Sequence, residues 1–259
     1  MKSFSFNVIM ENTEDSSKYK IYSKILKSMD NPSIIKIDDI HSLSNEEFIY
    51  VIGEESYKKI VKLDISKSIN FILLGIYLPP EDIHLHDNWK SISLFISEES
   101  VYNKIKSYSK IYSSYKDDND WYYQAFKNNK QFHFKLITSK KDAINYYRDI
   151  AQNISNNDIF LINPHGFFDK TTISELLRLS WENQFKTFSV LPSHSKKGFL
   201  LSPYFTKNSI HDFLKEYDNN IINQPKIKGI YTNNFSINSR TAKHIGIRRS
   251  YIDTFKVIY

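Results

Sequence analysis

The sequence predicts an α/β protein built from two doubly wound lobes, each organised on a parallel sheet. Short apolar runs alternate with stretches of helical periodicity from end to end, the signature of βαβ units. The alternation restarts near residue 110, after a first set of about four or five strands, so a single sheet does not account for it. A length of 259 residues is enough for one large domain or for two of roughly 100 to 130 residues each.

In the first set, FSFNVIM (4–10) reads as a strand. A helical stretch over 18–29 follows, closed by Asn31-Pro32. SIIKIDDI (33–40) and FIYVIG (48–53) are the next strands, and EESYKKIVKL (54–63) is helical, with acids in its first turn and lysines later, as the helix dipole favours. NFILLGIYL (70–78) is a fully apolar strand stopped by Pro79-Pro80, and SISLFIS (91–97) is another.

The second set opens with the strand KIYSSY (110–115), the acidic turn KDDND and a helix over 121–128. FHFKLIT (132–138) leads to a helix over 140–154, where Ala143, Tyr147, Ile150 and Ile154 recur at helical spacing. DIFLINP (158–164) precedes the helix TTISELLRLSWENQF (171–185), and TFSVLPS (187–193) closes the set. Near the end, NFSINSRTAKHIGI predicts a strand, a break and a short helix. Ser239 is placed to cap that helix, Ala242 and Ile245 share a face, and Gly246 suits a left-handed stop.

Composition removes several function classes. The net charge of +6 comes from 35 basic against 29 acidic residues, evenly spread and lysine-rich, which describes a solvated surface rather than a nucleic-acid footprint. With no cysteine, disulfides, cysteine-ligated zinc and thiol catalysis are excluded. No apolar run is long enough to span a membrane, and the opening MKSFSFNVIMENTED has no signal-peptide core. Neither a Gly-x-Gly-x-x-Gly nor a Gly-x-x-x-x-Gly-Lys run is present, so dinucleotide and P-loop readings have no support and no cofactor is expected.

From residue 46 onward, several segments in the same order resemble a known family. They are EEFIYVIGEESYKKIV (46–61), NFILLGIYLPP (70–80), SKIYSSYKDDNDW (109–121), NDIFLINPHGFFDKTTISELLRLS (157–180), KTFSVLPSHSKKGFLLSPYFTKNSIHDFLKEY (186–217) and IYTNNFSINSRTAKHIGI (230–247). The last is the most specific, since Asn238, Thr241, Ala242 and Gly246 fall at the expected spacing of an Asn-x-x-Thr-Ala-x-x-x-Gly run. Together these segments resemble the substrate-binding proteins of ABC transporters, the family that includes aromatic amino-acid binders.

The resemblance implies a type I periplasmic-binding-protein fold of two Rossmann-like lobes. Lobe one would hold residues 1–97 plus 207–222, and lobe two residues 98–203 plus 226–259, with hinge segments near 96–101, 201–206 and 224–229. It also implies an extracytoplasmic monomer, periplasmic or anchored as a lipoprotein, that traps a small ligand by hinge closure and delivers it to a membrane permease. The alternative of the same fold is a ligand-sensing or partner-binding protein that reports to a membrane sensor.

Ligands of open α/β sheets bind beyond the carboxyl ends of strands, facing helix N-termini. The candidate loops are 12–15, 53–56 and 77–80 in lobe one, and 115–121, 163–168 and 193–197 in lobe two. Within them the candidate ligand-binding residues are Glu54, Ser56, Tyr77, Tyr115, Asn119, Trp121, His165, Phe167 and Ser193, with Phe168 beside them. Their aromatic character suits a flat or apolar ligand. The family's usual Gly-Thr is replaced by Gly53-Glu54, its Asp-Pro by Tyr77-Leu78-Pro79, and a further Asp by Pro164-His165, so no amino-acid clamp is recognisable.

Competing chemistry is weaker. His84-x-His86 has metal-ligand spacing but sits in a proline-flanked loop that reads as a surface hairpin. Ser193, His194 and Ser195 adjoin one another without a Gly-x-Ser-x-Gly elbow, and no enzymatic role is expected. The run Asp117-Asp118-Asn119-Asp120 lacks the glycine and terminal glutamate of a calcium loop and reads as a solvated turn.

Overall fold

The computed structural model describes residues 6–10, 23, 25–27, 29, 31–42, 48–63, 69–76, 85–192, 194–219 and 221–258. In chain order the strands are β1 (Phe6–Met10), β2 (Pro32–Ile34), β3 (Phe48–Ile52), β4 (Asn70–Ile76), β5 (Lys90–Ile96), β6 (Ile111–Tyr115), β7 (Phe132–Leu136), β8 (Ile159–Ile162), β9 (Thr187–Ser189), β10 (Leu201–Pro203), β11 (Ile227–Ile230), β12 (Phe235–Asn238) and β13 (Lys256–Ile258). The α-helices are α1 (Glu54–Ile60), α2 (Glu98–Ile105), α3 (Trp121–Phe126), α4 (Lys140–Asn153), α5 (Lys170–Glu182), α6 (Lys207–Asn219), α7 (Ser239–His244) and α8 (Arg249–Ile252).

Two compact units result, residues 1–94 with 205–230 and residues 95–204 with 231–259. The first holds a six-stranded sheet ordered β2-β1-β3-β4-β5-β11, in which β1 through β5 pair in parallel. The continuous apolar run of β4 follows from burial on both faces. Ile72 and Leu74 pack with Ile210, Phe213, Leu214 and Tyr217 of α6. Phe71 and Leu73 pack with Tyr57 and Ile60 of α1 and with Trp89.

The second unit holds a seven-stranded sheet ordered β7-β6-β8-β9-β10-β12-β13, parallel except where β12 runs antiparallel to β10. Ala143, Tyr147 and Ile150, the helical stripe of α4, meet Leu176 and Leu179 of α5 over Phe160 and Ile162 of β8. Ser139 caps α4 by accepting from the Asp142 N–H, and Asp169 caps α5 in a capping box with Thr172. Each sheet thus has the doubly wound arrangement of five parallel strands in the order 2-1-3-4-5, extended at one edge.

Several local expectations are corrected. The strand expected over 33–40 stops at Ile34, and Ile37–Ser42 is a 3-10 helix, because paired aspartates are poor strand formers but suit a first helical turn. The strand expected to reach residue 193 ends at Ser189, whose hydroxyl accepts the Leu191 N–H and turns the chain ahead of Pro192. The cap of α7 is Asn238, not Ser239: its side chain accepts from the Thr241 N–H at 2.8 Å. Gly246 does close that helix at φ +75°, with Ile247 N–H on the Ala242 carbonyl and Gly246 N–H on that of Lys243, a Schellman pair.

Candidate functional site

In the second sheet β6 and β8 are neighbours, but β6 connects onward to β7 on one side and β8 to β9 on the other. Such a topological switch point opens a crevice at the carboxyl ends of the two strands. Here the loops that leave Tyr115 and Ile162 meet.

Asp120, only 1 % exposed, caps α3 by accepting from the Tyr123 N–H at 3.1 Å. The buried Asn163 amide donates to both of its carboxylate oxygens, at 2.7 and 2.8 Å. The same amide lies 3.3 Å from the Ser114 carbonyl at the end of β6, so one side chain ties both loops to the sheet edge. Burial pushes the Asp120 carboxyl above its ordinary range, while the bonds from Tyr123 and Asn163 oppose the shift.

His165 is buried and fully partnered. Its Nδ1 accepts the Phe167 N–H at 3.3 Å, which leaves Nε2 to donate to the Ser114 hydroxyl at 3.0 Å. Burial, helped by the Lys116 charge, lowers its pKa to about 4, so the ring is neutral at pH 7. His194 behaves in the same way: Nδ1 lies 2.8 Å from the Ser189 hydroxyl, and burial followed by the Lys197 charge lowers its pKa to about 4. Ser195 is also buried, bonded to Ser236 at 2.7 Å and Ser202 at 2.9 Å. These hydroxyls and imidazoles hold the frame; none of them presents a free nucleophile.

Half-buried aromatic side chains flank this polar frame. Trp121, the first residue of α3, donates its indole N–H to the Glu98 carboxylate at the start of α2. Tyr122 anchors the same turn through its hydroxyl on the Ile96 carbonyl at 2.6 Å. Tyr115 stacks on Tyr123 with centroids 3.9 Å apart. Phe167 and Phe168 lie 6.1 and 6.5 Å from the His165 ring, and Phe168 continues to His194 at 6.2 Å.

Of the residues expected from the sequence, Tyr115, Trp121, His165 and Phe167 lie on the two loops of this edge, His165 as part of the buried frame. Asn119 is exposed in the turn, its N–H on the Asp117 carboxylate at 2.9 Å. In the first unit, Gly53 at φ +94° and ψ 158° leads directly into α1, an arrangement open to glycine alone. Glu54 there is half-buried and Ser56 buried. Tyr77, Ser193, His84 and the loops 12–15 and 77–80 lie outside the described residues.

Asp120, Asn163, Ser114 and Glu98 were not singled out by the sequence. The first had a usable signal, an aspartate directly before a helical stretch. KDDND is therefore not a wholly solvated turn, since its last member is buried.

No family model matches the sequence, and no curated protein is significantly similar to it. Solved structures do match. A Streptococcus pneumonia ABC domain in complex with L-Trp aligns over 98 % of this chain and 99 % of its own, at TM-score 0.55 and 12 % identity. A ligand-free, open substrate-binding protein with adhesive properties from Clostridium difficile aligns over 98 % of both chains, at TM-score 0.58 and 11 % identity. The chain has the type I periplasmic-binding-protein fold. A conserved domain protein from Vibrio cholerae shares that fold over 99 % of both chains, at TM-score 0.53 and 12 % identity. No described helix of this periplasmic-binding-protein-like chain is long and apolar enough to cross a membrane.

Proposed function

We propose that the protein is an extracytoplasmic solute-binding protein of an ABC-type uptake system, and that its ligand is a small molecule with a flat or apolar portion. The observation that carries this reading is the switch-point edge of the second sheet. There the Asp120–Asn163 bond fixes two loops, and half-buried Tyr115, Trp121, Phe167 and Phe168 surround them. Aromatic walls with few polar contacts suit such ligands. The solved structure with L-Trp bound supports the choice of an aromatic probe.

Within this reading Trp121 and Phe167 contact the ligand, and His165 orients the loop beneath them. In the first unit the candidate is Glu54 at the start of α1, Ser56 being buried, and hinge closure about 96–101, 201–206 and 224–229 is the trapping movement. Glu54 and Glu55 in the first turn of α1 disfavour an anionic group there. Delivery to a membrane permease follows from the uptake role. A thermal-shift screen against L-tryptophan, other amino acids, nucleobases and vitamins tests the proposal. A ligand at a hundredfold excess over Kd stabilises by about 2.7 kcal/mol. A clear shift that Trp121→Phe diminishes supports it; no shift from any compound overturns it.

A further inference from the structure

A second constellation in the same unit lies away from that edge. Helix α5 begins at the edge with Lys170, and its last turn, near Trp181, is about 16 Å further along at 1.5 Å per residue. That last turn, the 3-10 segment His194–Lys197 and the first turn of α7 surround a cavity of about 460 Å³. Its lining contains Arg178, Lys196, Lys197 and Arg240 and no carboxylate.

The frame behind these charges is fixed. Asn238 donates its amide to the Ser195 carbonyl at 2.8 Å, and Thr241 its hydroxyl to the Gly198 carbonyl at 2.8 Å. Both side chains are buried, and the two bonds lock the lysine-bearing segment onto the helix that carries Arg240. Trp181 forms one wall: His244 stacks on it at 3.9 Å, and the Arg240 guanidinium sits 5.7 Å from its ring centre. Both contacts occupy the ring, so a ligand would meet charge rather than an open aromatic face. Arg178 is engaged by Glu175 and Glu182, whereas Lys196, Lys197 and Arg240 have no acidic partner among the described residues.

Over the whole chain 35 basic residues are nearly balanced by 29 acidic ones. Here three uncompensated cations from two elements face one volume, an arrangement that repels itself and that a bound anion relieves. We propose that this pocket binds a small polyanion, a phosphate ester or polycarboxylate, through Lys196, Lys197 and Arg240. The site is independent of the one at the switch point.

The test is calorimetric titration of the full chain with pyrophosphate, orthophosphate and citrate, at low and at high salt. Saturable binding of at least one polyanion, tighter for pyrophosphate than orthophosphate and weakened by salt, is expected. The triple variant K196Q/K197Q/R240Q should bind at least about tenfold more weakly. Trp121→Phe, which touches only the other site, should bind the polyanion normally. Should the triple variant not fold, Lys197→Glu at an exposed side chain replaces it, with the same weakening expected. No saturable binding of any of the three anions, or unchanged affinity in the lysine and arginine variants, overturns the proposal.

Discussion

Asn163 presents one amide nitrogen to both oxygens of Asp120, at 2.7 and 2.8 Å, and this pair joins the loop after β6 to the loop after β8. Removing Asn163 leaves a buried carboxylate held by backbone N–H groups at the start of α3, chiefly that of Tyr123. Asn163→Ala is therefore expected to cost about 1–3 kcal/mol in urea denaturation. The double variant Asp120→Asn/Asn163→Ala should cost less than the sum of the singles, because no buried charge is then stranded. Additive costs would show that the pair is not coupled.

Acid should destabilise the fold through two imidazoles. His165 and His194 have pKa values lowered to about 4 by burial, below the ordinary 6.5. The unfolded chain therefore binds protons first as pH falls through 6.5, so stability is full above that value and declines towards pH 4. The expected loss between pH 7.5 and 4.5 is about 2–3 kcal/mol per histidine. His165→Asn and His194→Asn should each flatten the pH dependence over that interval, whatever they do at pH 7.5. Unchanged slopes would count against the burial argument.

Trp121 is one of three tryptophans, with Trp89 fully buried and Trp181 stacked on His244. Breaking its indole bond with Glu98→Ala should shift the emission spectrum, and Trp121→Phe should remove that response. A ligand at the switch-point edge should quench or shift the same component. If ligand-induced changes survive in Trp121→Phe, the ligand binds elsewhere.

Gly246 isolates a backbone effect. Its φ is +75°, and a Cβ there would meet nothing within 4 Å. Gly246→Ala should thus cost about 1 kcal/mol from conformation alone, read as a lowered denaturation midpoint with an unchanged slope. Gly246→Asn, more tolerant of the left-handed region, should cost less.

The architecture was legible because burial on both sheet faces writes itself into local periodicity. The run 71–76 is apolar throughout, and the stripe Ala143, Tyr147, Ile150 points one way. Very short elements were harder to read. The three residues of β10 carry no period of their own, and β2 was overextended into a 3-10 helix whose isoleucines mimic strand alternation. At the site the aromatic candidates stood out by type. The buried pair beneath them did not: Asp120 is marked locally only by its place before a helix, and its burial, unlike its exposed neighbours Asp118 and Asn119, comes from the tertiary fold.

Neither unit is a contiguous piece of chain. The first is interrupted by residues 95–204 and regains its helix α6 and edge strand β11 only within 205–230. On a ribosome, β1 to β5 would emerge with the α6 side of Ile72 and Leu74 uncovered until more than a hundred later residues had been made. The second unit, in turn, waits for β12 and β13, which follow the segment 205–230 of the first. Maturation of the two halves is therefore interlocked, and neither can be excised by a single cut: a fragment ending at residue 204 lacks parts of both.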